Sequence, residues 1–168
     1  VEKMKAGEVC VAEFTTIVDT SWRKIPLLIA DLKAPVDTDQ FCMFTGHVDS
    51  WYYGAIDNGT ANAAQMEVAR LVSAHQKELK RNFRIVHYSG HSHGRYAGSA
   101  WYADNFWEEL HKSCVVNVNA DSLGGKDAMD VQHSTIMPET MGLAVEVVRH
   151  QTGEQFEGLR AARNGDQS

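Results

Sequence analysis

The chain has 168 residues, 43% of them hydrophobic and 23% charged, which fits one globular domain with its own core and excludes two large ones. The formal net charge of -6 excludes the basic surface that nucleic-acid-binding domains usually present. No run approaches the ~18 apolar residues that cross a bilayer. The sequence therefore predicts neither a nucleic-acid partner nor a membrane partner, and it carries no indication of oligomeric state.

Three cysteines, Cys10, Cys42 and Cys114, are odd in number and widely spaced, so they do not form a disulfide framework. Each lies in or beside an apolar run, which favours buried free thiols over a reactive role. This cysteine use slightly favours a reducing, cytoplasmic compartment. Because the chain begins at Val1 without a methionine and stops at Ser168 in ordinary sequence, we expect residues 1–168 to be a single, incomplete domain of a longer protein.

The predicted elements begin, in chain order, with strands. Val9–Thr16 and Ile25–Leu32 are rich in β-branched and other apolar residues, which predicts two strands. The polar segment Ala34–Gln40 contains a proline and predicts a surface loop. Phe41–Thr45 is a compact apolar run, typical of a strand in the centre of a sheet.

Beyond Phe41–Thr45 the hydrophobic pattern alternates between helical and strand periods. Apolar residues at helical spacing predict a first helix, with the face Ala64, Val68, Leu71 and Val72. Phe83–Tyr88 and Cys114–Val118 are predicted strands, and between them a helix capped near Ser99 is expected to bury Trp101, Phe106 and Trp107. Pro138 fits the first turn of a last helix. This alternation predicts an α/β sheet with helices packed on its faces.

In such a sheet, chemistry lies at the carboxyl ends of the strands, which directs attention to the polar segments that follow them. His47 follows a buried strand, a position equally typical of a metal ligand and of a hydrogen-bonded strand end. Asp49, two residues on, is placed to accept the other ring N–H of His47. Asp57 opens a helix and Asp121 precedes a glycine turn, so each alone fits a cap or a turn. Beside His47, however, Asp57 offers a carboxylate within reach of the same ion, and Asp121 points toward the same carboxyl edge of the sheet.

Taken together, these segments resemble the co-catalytic zinc aminopeptidases and glutamate carboxypeptidases, metallopeptidase family M28. The resemblance rests on motifs that occur in the same order and at similar spacings: Gly46-His47-Val48-Asp49-Ser50-Trp51, Gly54-Ala55-Ile56-Asp57-Asn58-Gly59, Glu67-Val68-Ala69-Arg70, Gly98-Ser99, and Asn119-Ala120-Asp121 with Gly124. It runs from Phe41 to Gly125, and Gly165-Asp166-Gln167 resembles a later segment of the family near its site.

The resemblance implies a three-layer sandwich with a mixed, mostly parallel sheet and two zinc ions, or other divalent ions, at its carboxyl edge. Carried over by position, His47 and Asp121 each bind a zinc, Asp57 bridges both, and Asp49 orients His47 as part of the catalytic machinery. A metal-activated water then attacks the carbonyl of a peptide or small amide substrate, as in an aminopeptidase-like exopeptidase.

The chain departs from the family pattern where a Glu-Glu pair, a general base followed by a zinc ligand, is expected. Counting back from the Gly-Ser motif puts Ser92 and His93 at these positions, and another gap placement brings in His91. No acidic residue occurs between Phe83 and Asp104. His93 is therefore a candidate metal ligand and His91 or His93 a candidate proton acceptor, although both also fit simple loop residues.

Three further residues are candidates for binding substrate. Arg95 and Tyr96 fit a role in binding a substrate carboxylate or stabilising an oxyanion, and they equally fit exposed loop residues. Asp166 enters through the resemblance alone. The family's last zinc ligand, a histidine, is expected beyond Ser168. The sequence therefore leaves two alternatives: a metallo-exopeptidase, or a non-catalytic or binding relative that keeps the fold without the glutamate base.

Overall fold

A four-stranded sheet organises the computed structural model, which describes residues 2–124, 126–127 and 138–153. Its strands are β1 (Leu28–Leu32), β2 (Phe41–His47), β3 (Asn82–Tyr88) and β4 (Cys114–Asn119), in the order β1-β3-β2-β4. Strands β3 and β4 run parallel to β2 on either side of it, and β1 pairs antiparallel with β3. The sheet is therefore mixed and mostly parallel, as the resemblance implies.

Four α-helices accompany the sheet in the described part of the chain: α1 (Glu2–Lys5), α2 (Ala61–Ala74), α3 (Ala97–Ser113) and α4 (Pro138–Thr152). A π-type turn, Ala55–Thr60, leads into α2, and a 3-10 turn, Gln76–Glu78, follows it. Among the described residues, no helix combines the length and the apolar composition that crossing a membrane requires.

The strand β2 is buried along its length because helices cover both faces of the sheet. On one face, the α3 residues Tyr102, Phe106 and Leu110 pack against a core that includes Phe41 and Val86. On the other face, α2 contributes to a second core, formed by Phe44, Ala61, Ile85 and Ala120 with Val68 and Ala69 packed against it. The two cores confirm the predicted three-layer α/β sandwich.

The register of the parallel strands brings three loops to one edge of the sheet. The last residue of β2, His47, is paired with Tyr88 at the end of β3, and Thr45 is paired with Asn119 at the end of β4. The segments 48–60, 89–96 and 120–124 therefore all start from the same carboxyl edge. This is the edge where the sequence places its candidate site.

Two predictions about the N-terminal third need correction. Val9–Thr16 has no regular structure, and Val9 and Phe14 are 92% and 87% exposed. A β-rich composition forms a strand only where a partner strand satisfies its backbone groups, and no described strand pairs with this segment. The predicted strand Ile25–Leu32 is present but begins three residues later, at Leu28.

Predicted core residues on the helices are only partly buried. The face that α3 turns to the sheet carries residues at four-residue spacing, so Phe106 packs there while Trp101 and Trp107 are 52% and 63% exposed. In α2, Gln65 is fully buried and Leu71 is 46% exposed. The face that α2 buries is therefore rotated about the helix axis from the face that its apolar residues predict.

The thiols are free, as predicted, but less buried than expected. Cys10 is exposed because it lies in the N-terminal segment that does not pair, and Cys42 and Cys114 are half-buried. Burial raises the pKa of the Cys114 thiol, which keeps it in the unreactive protonated form.

At the opposite end of the sheet from the candidate site, a buried arginine joins three elements. Arg84 of β3 donates to Asp31 of β1 and to Glu109 and Tyr102 of α3, and its guanidinium lies over the ring of Phe41. Burial lowers the pKa of Arg84, but the two carboxylates raise it by more, so the group stays charged. This cluster fixes the edge strand and α3 to the sheet.

Candidate metal centre

His47 lies at the centre of the candidate site, with a side chain that is fully buried at the end of β2. Its Nδ1 lies 2.8 Å from the carbonyl oxygen of Asp49. Because a carbonyl only accepts hydrogen bonds, Nδ1 carries the proton, and in the neutral ring Nε2 keeps its lone pair. This is the tautomer in which an imidazole binds a metal through Nε2.

Two carboxylates face the Nε2 atom of His47. Asp57 Oδ1 lies 3.0 Å away and Asp121 Oδ1 lies 3.3 Å away, and among the described residues the nitrogen has no hydrogen-bond partner. Within the described residues, no Lys or Arg pairs with either carboxylate. A buried lone pair beside two anionic oxygens is costly without a positive charge between them. The arrangement therefore fits a cation at this point.

His91 completes the group of possible ligands. Its ring stacks on that of His47, and the ligand atoms of His47, His91 and Asp121 lie within 4.8 Å of one another. Asp57 is outside this mutually close group, although its oxygen approaches His47 Nε2. Imidazole nitrogens combined with carboxylate oxygens form a donor set that suits zinc, as well as other divalent metals that prefer nitrogen and oxygen.

The charged groups of the site favour positive charge at His47 Nε2. Burial lowers the pKa of His47, but the Asp121 carboxylate, the Asp49 carbonyl and the Asp57 carboxylate raise it by more, so the net shift is upward. The neighbouring imidazole of His47 in turn lowers the pKa of Asp121 despite its partial burial. A proton or a metal ion at Nε2 satisfies the same carboxylates.

Asp49 contacts the site differently from the expected carboxylate–imidazole pair. Its carboxylate lies 3.8 Å from His47 Nδ1 and instead accepts the backbone N–H groups of His91, at 3.1 Å, and Ser92, at 2.9 Å. Burial raises the pKa of Asp49, but these N–H groups lower it by more, so the carboxylate stays ionised. Asp49 thus orients His47 through its carbonyl and holds the loop of His91 through its side chain.

The structure does not bring His93 to the ligand group. His93 is exposed, its Nε2 lies 3.3 Å from the carbonyl oxygen of Ser50, and its ring edge contacts Trp51. The loop turns back on itself between the two histidines, so that only His91 faces His47. Of the two gap placements left open by the sequence, the geometry favours the one that puts His91 among the ligands.

The candidate substrate-binding residues occupy different positions. Tyr96 contacts the site, with its ring edge-on to His91 at a centroid distance of 4.8 Å. Arg95 is exposed, and its guanidinium carbon lies 5.8 Å from the centre of the Tyr96 ring. Both adopt left-handed backbone conformations, with φ of 50° and 67°. Asp166 lies outside the described residues.

Sequence reasoning missed the polar residues beneath the ligands. Asn62 donates to the carbonyl oxygens of His47 and Asn58 and accepts from His87 Nδ1. Gln65 donates to the carbonyl of Phe44. Asn58 lies before α2 with non-helical dihedral angles, so no helical spacing in the sequence links it to Asn62.

Solved structures share this fold. The chain superposes with a TM-score of 0.66 on a glutaminyl cyclase from an Acidobacteriales bacterium, at 17% identity, covering 82% of this chain and 52% of that one. It superposes with a TM-score of 0.60 on a Zn-dependent exopeptidase from Parabacteroides distasonis, at 18% identity, covering 84% of this chain and 57% of that one. At these identities the likeness establishes the fold alone.

Sequence comparison gives the family. A glutamate carboxypeptidase 2 homolog from Caenorhabditis briggsae is 26% identical over 131 residues, which are 76% of this chain and 17% of that protein. The chain thus spans less than a fifth of this relative's length. The sequence model of peptidase family M28 matches residues 28–165, a range that includes β1 to α4 and all four candidate ligands. The chain belongs to peptidase family M28.

Proposed function

We propose that this chain carries the metal-binding part of a zinc-dependent exopeptidase, aminopeptidase-like, that hydrolyses peptide or small amide bonds. Family membership supports a metal-dependent exopeptidase. The observation that carries the proposal is the buried Nε2 of His47, which faces the carboxylates of Asp57 and Asp121 and has no hydrogen-bond partner in the part of the chain that the structure describes.

The residues that would hold zinc are His47, His91, Asp57 and Asp121. A zinc ion bound in such a set supplies a water whose pKa is lowered to about 7, the nucleophile of metal-dependent peptide hydrolysis. We propose two ions, and Asp57 would be available to hold the second, because its carboxylate is half-exposed and lies outside the close group of His47, His91 and Asp121.

This chain differs from the family pattern in the group that would accept the proton during hydrolysis. A histidine bound to metal does not accept a proton, so the proposed ligand role of His91 leaves His93 as the free imidazole of the loop. We propose His93 as the proton acceptor in place of the family's glutamate. Since general acid–base catalysis contributes on the order of 10²–10⁴ in rate, a poorly placed base predicts slow turnover.

The test is to measure zinc per chain by mass spectrometry and the hydrolysis of aminoacyl amides with and without a chelator. The proposal predicts two zinc ions and turnover that the chelator abolishes. His47→Gln should lose both metal and turnover. His75→Gln is the matched control, because His75 is an exposed histidine that pairs with Glu78 after α2. Absence of turnover across a broad panel of aminoacyl and peptidyl amides would overturn the catalytic proposal.

A second candidate is a non-catalytic or binding relative, favoured by the absence of any acidic residue between Phe83 and Asp104. In this case the site keeps an ion without the base needed to activate a nucleophile. One bound metal, or none, together with no turnover identifies this second function. Two metals with chelator-sensitive turnover exclude it.

A further inference from the structure

The side chain of Asn58 bonds to the backbone on both sides of Asp121. Its Nδ2 donates to the carbonyl oxygen of Ala120 at 3.2 Å, and its Oδ1 accepts the N–H of Ser122 at 3.0 Å. A carbonyl only accepts and an N–H only donates, so these partners fix the orientation of the amide. Asn58 is 1% exposed, so its buried amide depends on these two backbone partners rather than on water.

Asn58 is also the residue that follows Asp57 in the chain. The carboxylates of Asp57 and Asp121 come from segments 64 residues apart, and Asn58 joins these segments directly. Ser122 has a φ of 50°, a left-handed conformation that residues other than glycine adopt only where their neighbours hold it. The bond from Ser122 to Asn58 provides this restraint on the loop of Asp121.

The third ligand-bearing segment is tied to the same asparagine. Asn62 donates at 2.8 Å to the carbonyl oxygen of Asn58 and at 3.1 Å to that of His47. The side-chain amides of Asn58 and Asn62 therefore connect three segments: the end of β2, the turn that contains Asp57 and the loop that contains Asp121. Asn58 lies between the two carboxylate segments, and Asn62 connects it to the histidine.

We propose that Asn58 is a positioning residue that sets the separation of the Asp57 and Asp121 carboxylates around His47 Nε2, and with it the coordination geometry of the bound ion. The inference rests on the proposed metal-binding function. Residues that support metal ligands in this way typically change metal affinity by about 10–100-fold when they are replaced. The same loss is expected here.

A buried asparagine elsewhere in the fold provides the matched control. Asn82 is 7% exposed and lies at the opposite end of the sheet, where it accepts from the N–H of Ala34 and donates to the carbonyl of Thr38. Asn58→Ala and Asn82→Ala remove the same amide and the same kinds of bond. A purely structural role of Asn58 would therefore give both variants the same properties apart from stability.

The experiment titrates Co²⁺ into the metal-free full-length protein and its variants, following the visible absorption bands that report coordination geometry. Urea unfolding of each metal-free chain provides the stability. We expect both alanine variants to be destabilised, but only Asn58→Ala to shift the cobalt bands and to weaken Co²⁺ binding about 10–100-fold. Asn82→Ala should keep the wild-type bands and affinity.

A wild-type cobalt spectrum and affinity in Asn58→Ala would overturn the inference while leaving the metal site in place. Failure of the wild-type chain to bind Co²⁺ would instead overturn the proposed function, and this inference with it. If Asn58→Ala does not fold, Asn58→Ser replaces it, since it keeps a polar group at this position without adding charge and loses the paired bonds to Ala120 and Ser122. Altered cobalt bands in that variant support the inference, and unaltered bands refute it.

Discussion

The ring of His91 lies flat on the ring of His47, with centroids 3.7 Å apart and planes 6° apart. Two positively charged imidazoles at this separation would repel each other. Neutral imidazole is also the form that binds zinc. The pair therefore brings two candidate zinc ligands to the same edge of the sheet.

His91→Ala should reduce the zinc affinity of the chain by more than the ~10–100-fold typical of residues that only support a ligand. His93→Ala should leave the affinity unchanged, because His93 is exposed and contacts Ser50 and Trp51 rather than the ligand group. Competition with a chromogenic chelator measures both affinities. Loss of zinc from the His93 variant, with full binding by the His91 variant, would reverse the assignment.

Asp49→Ala should loosen the loop that carries His91, because the backbone N–H groups of His91 and Ser92 lose their shared acceptor. Faster hydrogen exchange of these two amides is expected, together with weaker zinc binding, by about 10-fold. Asp39→Ala is the control, since Asp39 is an exposed aspartate that contacts Lys112, far from the site. Unchanged exchange at both amides would contradict the role given to Asp49.

Arg84→Met should destabilise the fold by about 3 kcal/mol, the low end of the cost of breaking a buried ion pair, because the partners left behind, Asp31 and Glu109, are partly exposed. Zinc binding should not change, since Arg84 lies at the other end of the sheet. Arg70→Met breaks an exposed pair with Glu67 and should have a much smaller effect. Urea unfolding compares the two, and equal losses would show that the Arg84 cluster is not a stabilising element.

Acidification should destabilise the metal-free protein in part through His87. Burial lowers the pKa of His87 below its usual value of 6.5, so the unfolded chain binds more protons than the folded chain between the two pKa values. Stability therefore rises with pH across that window and is lost as the pH falls through it. His87→Gln should flatten this part of the profile.

The pH dependence of urea unfolding, measured with a chelator for the wild type and His87→Gln, tests this prediction. The difference between the two profiles isolates His87 from the other histidines. His87→Gln retains a polar group beside Asn62, the hydrogen-bond partner of His87 Nδ1. Parallel profiles for the two proteins between pH 5 and 7 would exclude a contribution from His87.

The sequence by itself determined the central elements and half of the site. Strands β2, β3 and β4 are short apolar runs separated by helical periods, and this local pattern predicts their existence in an α/β sheet, while the family resemblance implies their mostly parallel arrangement. His47, Asp57 and Asp121 were predicted because each follows or adjoins a strand end, and the ends of parallel strands meet at one edge. The burial of each strand and the residues that follow its end can both be read from the local sequence.

Only the tertiary structure decided what depends on contacts between distant loops. The choice between His91 and His93 follows from the Asp49 carboxylate, which holds the loop across more than 40 residues of sequence. The role of Asn58 follows from backbone groups of the Asp121 loop, which no local pattern places beside it. Val9–Thr16, by contrast, has strand propensity without a described partner. For His91 and Asn58 a hydrogen bond to a remote segment decides the position, and for Val9–Thr16 no described strand offers one. The local sequence does not identify such a remote partner.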